Sequence, residues 1–265
     1  MRFLTRKKYT TSVPDTKDNS HKLLRLVRMP SAIYAIGDIH GCFDLYDRLE
    51  TKIIEDGRNL PGTKLILSLG DFIDRGGASA KMIDRFLEPA PEGFKRLALR
   101  GNHEDMMIKF MSDPGANRDW LNYGGIDTLA SYGLSLNPET LFEQPSKDLQ
   151  RMMMAAIPDN HRRFLDHLPL ALSAGPYRFA HASYDRSRDF DDQQSETLLW
   201  GDPAQSDIGE KNHILVHGHI IVERPVISPK RISIDTGAYL NGTLTAIRIT
   251  SNNYDNQLLS VSFTN

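Results

Sequence analysis

From Pro30 onward, short apolar runs alternate with Gly-Asp or Gly-Asn turns and with segments of helical spacing. Ala32–Ile36 has the unbroken apolar character of a strand covered on both faces, and Leu45, Leu49 and Ile53 then recur along one helix face. Lys64–Leu69 repeats the strand, with Met82, Ile83, Phe86 and Leu87 forming the face of the next helix. Arg96–Leu99 predicts a third strand leading into Gly101-Asn102-His103-Glu104. The three turns open at Gly37, Gly70 and Gly101, 33 and 31 residues apart. That is the length of a strand-helix-strand crossover, so the first part of the chain predicts successive βαβ units of a largely parallel sheet. Residues 105–170 read as helical and mixed, and their methionine patches (Met106, Met107, Met111; Met152, Met153, Met154) read as core packing. Strands return at Tyr177–Ala180, Ile214–Val216, Arg231–Ile234, Leu244–Ile249 and Leu258–Phe263, which predicts a second sheet packed on the first.

The segment before Pro30 has a different character. Residues 1–29 carry a net charge of +6, leaving −8 for the rest of a chain whose total is −2. This segment reads as a flexible basic arm, with a short helix at His21–Met29 and the capacity to meet an anionic partner. The acidic remainder, residues 30–265, reads as a single domain carrying a helical insertion at 105–170, and is a poor general binder of nucleic acid. A single cysteine, Cys42, excludes a disulfide scaffold and a thiolate zinc finger. No apolar run reaches the roughly 18–20 residues of a membrane span, and the start of the chain lacks the apolar core of an export signal. A cytoplasmic location is the expectation.

Polar side chains of a restricted kind follow the strands: Asp38 and His40; Asp71, Asp74 and Arg75; Asn102 and His103; His181; His217 and His219. Ligands of an open α/β sheet collect at the carboxyl ends of strands, so five clusters of carboxylate, amide and imidazole converge on one edge. Hard oxygens and imidazoles without thiolates suit a pair of divalent cations bridged by a carboxylate. Each residue alone has a plainer reading: Asp38 or Asp71 as a helix cap, Arg75 as a surface ion pair, His103 as a turn residue. The plain readings lose their force when the clusters occur together in this order.

Gly37-Asp-Ile-His-Gly41, Gly70-Asp-Phe-Ile-Asp-Arg-Gly76 and Leu99-Arg-Gly-Asn-His-Glu104 resemble the signature blocks of the serine/threonine phosphoprotein phosphatases, within the calcineurin-like metallophosphoesterases. Trp120-Leu-Asn-Tyr-Gly-Gly125, Ser131-Tyr-Gly133, Phe179-Ala-His181, Leu198-Leu-Trp200, Val216-His-Gly-His219 and Ile234-Asp-Thr-Gly-Ala238 extend the likeness to the bacterial branch, which includes diadenosine tetraphosphatases. The resemblance implies an α/β fold of two mixed β-sheets packed as a central sandwich flanked by helices. It also implies metal ligands Asp38, His40 and a bridging Asp71 for one ion, with Asn102, His181 and His219 completing the other. His103 becomes the general acid, Asp74 its orienting carboxylate, and Arg75 with Asn102 the phosphate contacts. Two ions can acidify a water and steady both ends of an in-line displacement, so no covalent phosphoenzyme is needed. Manganese is the expected metal, with iron and zinc as alternatives.

Two blocks depart from the bacterial pattern. His181-Ala-Ser183 replaces His-Ala-Gly, and Trp200-Gly-Asp202 lacks the arginine that normally follows the tryptophan and holds phosphate. Arg75 is then the phosphate guanidinium unless Arg186 or Arg188, after His181, swings in. His217 reads as a neighbour of the site or as packing, Glu104 as a support for its turn, Cys42 as space-filling, and His161, His167 and His213 as ordinary histidines. The leading expectation is a phosphatase acting on phosphoserine or phosphothreonine in proteins. The alternatives are hydrolysis of a phosphoanhydride, as in dinucleoside polyphosphates or a capped RNA end, and a binding module with little catalysis. A purine site would draw on Trp120 and Tyr123 in the insertion.

Overall fold

The apolar runs at Ala32–Ile36 (β2) and Lys64–Ser68 (β3) are buried along their whole length and pair in parallel, as strands covered on both faces do. Phe94–Ala98 (β4) extends the parallel set. Thr243–Thr250 (β10) lies antiparallel to β2, and Gln257–Ser262 (β11) pairs antiparallel with β10, giving the order β11-β10-β2-β3-β4. These relations come from a computed structural model, which describes residues 23–134, 144–207, 212–250 and 256–263.

A second sheet is built from Leu23–Leu26 (β1), Ala171–Ala174 (β5), Tyr177–Ala180 (β6), Ile214–His217 (β7), Val226–Ile227 (β8) and Arg231–Ser233 (β9), in the order β1-β5-β6-β7-β9-β8. Both sheets mix parallel and antiparallel pairs. Their facing sides share one apolar layer: Ile33, Ala35, Leu65 and Leu67 from the first sheet meet Leu172, Phe179, Val216 and Ile232 from the second. Alternation along β2 turns Tyr34 and Ile36 the other way, onto a helical layer. That layer includes Phe43–Gly57 (α1), Ser79–Leu87 (α2), Asn102–Ser112 (α3), Ile126–Ser131 (α4), Ser146–Ala156 (α5) and Asp159–Asp166 (α6). Met107, Met111 and Met153 are buried within it, as core packing requires. Two further helices, Ser195–Trp200 (α7) and Ala238–Asn241 (α8), complete the described elements that bear on the site. Among the described residues no helix is long and apolar enough to cross a membrane.

The helix expected at His21–Met29 is not what forms. Residues 23–26 make strand β1, parallel to β5. The reason is a period of two: Leu24 and Leu26 pack into the layer between the sheets, while Leu23 packs on the opposite face. Arg25 pairs with Asp191 at 2.9 Å. Residues 1–22, the rest of the expected arm with its contact to an anionic partner, lie outside the described residues. Strand β5 was not expected from sequence either, since Ala-Leu-Ser-Ala offers no β-branched residue and takes its form from pairing with β1 and β6.

Candidate metal centre

The site residues stand on the turns that follow strands, with Asn102 and His103 opening helix α3 directly after one of them. The turns after β2 and β3 are laced together, with the N–H groups of Ile39 and His40 donating to the Asp71 carbonyl at 3.0 and 2.9 Å. Glu104 holds the second of these turns and ties it to the third. Its buried carboxylate accepts the N–H groups of Gly101 at 2.7 Å, Asp71 and Phe72 at 2.9 Å each, and Ile73 at 3.3 Å. Glu104→Gln keeps the shape but turns an NH2 group toward two of those donors. With an orphaned buried donor costing about 1–3 kcal/mol, urea unfolding is expected to show a loss of about 2–6 kcal/mol. A loss below about 1 kcal/mol would mean that the turn has another support.

The backbone is strained at the same places. The non-glycine residues with positive φ, among those described, are His40, Asp71, Asp74, Arg75 and His219. Each such conformation costs on the order of 1–3 kcal/mol and persists only where the surroundings enforce it. Two glycines allow the carboxylates to approach: a Cβ on Gly101 would stand 2.1 Å from Asp71 Oδ1, and one on Gly218 would stand 2.0 Å from Asp38 Oδ1. The glycine of His217-Gly-His219 is thus set by the carboxylate it touches.

Asp71 is the hub. Its Oδ2 lies 3.4 Å from His181 Nε2, 3.7 Å from His40 Nε2 and 3.8 Å from His103 Nε2. Two groups of donor atoms, His40-Asp71-His103 and Asp71-His181-His219, share it. Asn102 Oδ1 is 2.7 Å from His181 Nε2, and His219 Nδ1 is 3.1 Å from the same nitrogen. Asp38 lies on the far side, accepting the His219 N–H at 3.1 Å and standing 4.0 Å from His181 Nδ1.

The donor set fits a cation. His40 Nδ1 faces the Ile73 carbonyl at 2.9 Å and His181 Nδ1 faces the Leu69 carbonyl at 3.2 Å; carbonyls only accept, so each Nδ1 carries the proton. The His181 Nε2 lone pair is thereby set against Asn102 Oδ1 and the Asp71 carboxylate, an arrangement of acceptor against acceptor that a metal ion resolves, while the His40 Nε2 lone pair meets the Arg75 guanidinium at 2.9 Å beside the same carboxylate. Ligand bonds of about 2.1 Å would place neighbouring donors about 3.0–3.4 Å apart, close to the separations here. Burial pushes His40 down to about 3 and His181 down to about 4, so both rings are neutral at ordinary pH, the form in which an imidazole can ligate. Burial, then the neighbouring charges of Asp235 and Asp71, push Asp38 well above the usual carboxylate range. Burial also raises Asp71, but the imidazoles of His181, His103 and His40 outweigh it and hold that carboxyl below the usual range.

His103 has a different setting. Its Nδ1 meets Asp74 Oδ2 at 2.6 Å. Burial pulls its pKa down, yet Asp71 and Asp74 together outweigh burial and raise it. One imidazole shifted toward its charged form beside two shifted toward the neutral form is the kind of separation that distinct acid and ligand roles require. Arg75 reaches the centre from the same turn, with Nη1 2.9 Å from His40 Nε2 and its guanidinium 4.4 Å over the Tyr239 ring.

The structure therefore brings together Asp38, His40, Asp71, Asp74, Arg75, Asn102, His103, His181 and His219. It does not bring in Arg186 or Arg188. The buried Arg186 guanidinium donates to the carbonyls of Ser206, His213 and Lys230, while Arg188 pairs with Asp185 and Asp192 on the surface. His217 is engaged by Ser233 Oγ at 2.7 Å and by the Gly218 carbonyl, so it packs. Asp202 turns its carboxylate onto the Ala204 N–H. Trp120 is no platform for a purine: it is buried, with its indole N–H on Asp74 Oδ2 at 2.8 Å. Asp235, hydrogen-bonded to Asp38, was given no role from sequence, although it has the signal of the others, an aspartate after a strand and beside a glycine-bearing turn. Tyr239 and Thr128, which meet Arg75 and Asp74, carried no such signal.

A sequence model of the calcineurin-like phosphoesterase family matches residues 31–238. Serine/threonine-protein phosphatase 2 of Salmonella typhimurium is 27% identical over 226 residues, spanning 82% of this chain and 92% of the relative. A bis(5'-nucleosyl)-tetraphosphatase, PrpE, of Halalkalibacterium halodurans is 26% identical over 224 residues, spanning 80% and 88%. Among solved structures, one provisionally described as a diadenosine tetraphosphatase superposes with a TM-score of 0.63 at 15% identity, over 92% of this chain and 99% of the other, a likeness of fold. The family match takes in both donor groups and the His103–Asp74 pair, a phosphoesterase reading stands against that of a binding module, and the chain belongs to the calcineurin-like phosphoesterase family.

Proposed function

We propose that this chain hydrolyses phosphomonoesters with the help of two divalent ions, manganese for preference, and that its substrates are phosphoserine and phosphothreonine in proteins. The observation that carries this reading is the shared carboxylate, Asp71, between two donor groups, beside an imidazole held by the Asp74 carboxylate at 2.6 Å. Asp38, His40 and Asp71 would hold one ion, and Asp71, Asn102, His181 and His219 the other. Ions bound there supply positive charge to the phosphoryl oxygens and make the attacking water acidic.

The chain's own residues do the rest. Asp38 and His219 are fixed to each other through the His219 N–H, which keeps the outer ligands in register. Arg75 presents its guanidinium to the phosphate, steadied by the face of Tyr239, and Asn102, whose side chain meets His181 Nε2 at 2.7 Å, would be a second contact. His103, with Nδ1 committed to Asp74, holds its remaining proton on Nε2, toward the leaving oxygen.

A phosphoanhydride substrate is the second reading, favoured by two half-exposed rings at the centre. Trp200 stands 6.3 Å from His219 and Tyr239 stands 5.0 Å from His40, where a base could stack. The relative named bis(5'-nucleosyl)-tetraphosphatase supports it as well. The test compares kcat/KM of the manganese-loaded enzyme on a phosphoserine peptide and on diadenosine tetraphosphate. At least about tenfold preference for the peptide, 1.4 kcal/mol, is expected; the reverse preference would replace the first reading by the second.

A further inference from the structure

Asp74 is fully buried, and both oxygens of its carboxylate accept hydrogen bonds, from one stretch of the insertion and from His103. Oδ2 accepts His103 Nδ1 at 2.6 Å and Trp120 Nε1 at 2.8 Å; Oδ1 accepts Thr128 Oγ1 at 2.6 Å. The Asp74 N–H, in a left-handed conformation, is shared by Ser79 Oγ and Thr128 Oγ1 at 3.0 Å each. Trp120 cannot tilt freely, since Phe110 packs on it at 5.0 Å and a Cβ on Gly125 would lie 2.6 Å from the indole. The helical segment Leu121–Gly125, kinked at Gly124, also reaches the neighbouring residue: Gly124 O accepts the Arg75 N–H at 3.4 Å.

A buried tryptophan needs an acceptor, and many would serve. Here the acceptor is the oxygen that orients His103. Two donors on Oδ2 and one on Oδ1 leave the carboxylate a single orientation, which in turn fixes where His103 Nε2 stands, 3.8 Å from Asp71 Oδ2. We propose that Trp120 and Thr128 are positioning residues for the proton transfer, acting through Asp74 on His103. This rests on His103 being the proton donor to the leaving group, as set out above.

Proton donation matters most when the leaving oxygen is basic, so the test uses two aryl phosphates. The manganese-loaded enzyme, as wild type, Trp120→Phe, Thr128→Val, Thr128→Ser and His103→Asn, is assayed with phenyl phosphate and with p-nitrophenyl phosphate. Manganese content and thermal unfolding are measured alongside. Trp120→Phe and Thr128→Val are expected to lower kcat on phenyl phosphate about tenfold or more, and on p-nitrophenyl phosphate less than about threefold, a fraction of what a general acid supplies. Metal content and KM stay at the wild-type level, and Thr128→Ser restores the rate. An equal fall on both substrates, or no fall on either, overturns the proposal. Should Trp120→Phe fail to fold, the Thr128→Val and Thr128→Ser pair decides alone. His103→Asn separates the two layers. If it lacks leaving-group dependence, the proton-donor reading fails and takes the proposal with it. If His103→Asn shows the dependence and the Thr128 and Trp120 variants do not, only the proposal fails.

Discussion

Asp71→Asn is expected to abolish turnover that manganese restores to the chelator-stripped wild type. Asp71 is the residue common to both donor groups, so one substitution weakens both at once. The change is nearly isosteric. What it removes is the charge, which three imidazoles keep on the carboxyl in spite of burial. Whichever way the new amide turns, something is lost. With its NH2 toward the imidazoles, it donates to a lone pair that an ion would need; with its NH2 toward Oδ1's place, it confronts the His103 N–H that Oδ1 accepts at 3.0 Å. A pair of metal ions contributes several kcal/mol to stabilising transition-state charge, and at 1.36 kcal/mol per decade that is a loss of about 10³-fold or more. Calorimetric titration of the stripped protein with manganese, beside p-nitrophenyl phosphate turnover, measures it. An Asp71→Asn enzyme retaining more than about a tenth of the rate would place the shared carboxylate elsewhere.

Much of this centre was legible in the chain, and the reasons are local. Asp38, His40, Asp71 and Asn102 each follow a strand and sit beside a glycine that the turn requires, with His103 one residue further on, so order and spacing carry the information. Residues whose role depends on distant packing were not legible. Trp120 and Thr128 meet Asp74 from 46 and 54 residues away, and nothing in the insertion marks the indole as buried rather than as a stacking surface. Arg186 stands five residues after His181, and sequence proximity suggested a phosphate contact; the loop instead carries its guanidinium into the body, onto three carbonyls. Strand β1 was hidden for the same reason: Leu-Leu-Arg-Leu gains its strand form from β5, 148 residues further along, with Leu23 opposite Ala171. The positive φ values at five site residues, four of them the Asp or His that tolerate this conformation better than other side chains, mark the same turns independently.

His103→Asn is expected to lower kcat by about 10²–10⁴-fold on a substrate with a basic leaving group, while the protein keeps its metal. The second half of that expectation is the sharper one. By distance alone, His103 belongs to a donor group with His40 and Asp71, and could be counted a ligand. Its partners argue otherwise. His40 and His181 spend Nδ1–H on backbone carbonyls, which fixes a neutral ring with Nε2 free to ligate. His103 spends Nδ1–H on the Asp74 carboxylate, which stabilises the doubly protonated ring, and its pKa is raised where theirs fall. A ring whose charged form is favoured gives up its Nε2 lone pair less readily to an ion and more readily serves as an acid. Asparagine preserves the chain's course at the start of α3 but supplies no transferable proton. Metal analysis of the purified variant is therefore decisive together with its rate. Full metal content with a collapsed kcat assigns His103 to proton transfer; loss of about half the metal would make it a ligand and leave Asp38 outside the inner set.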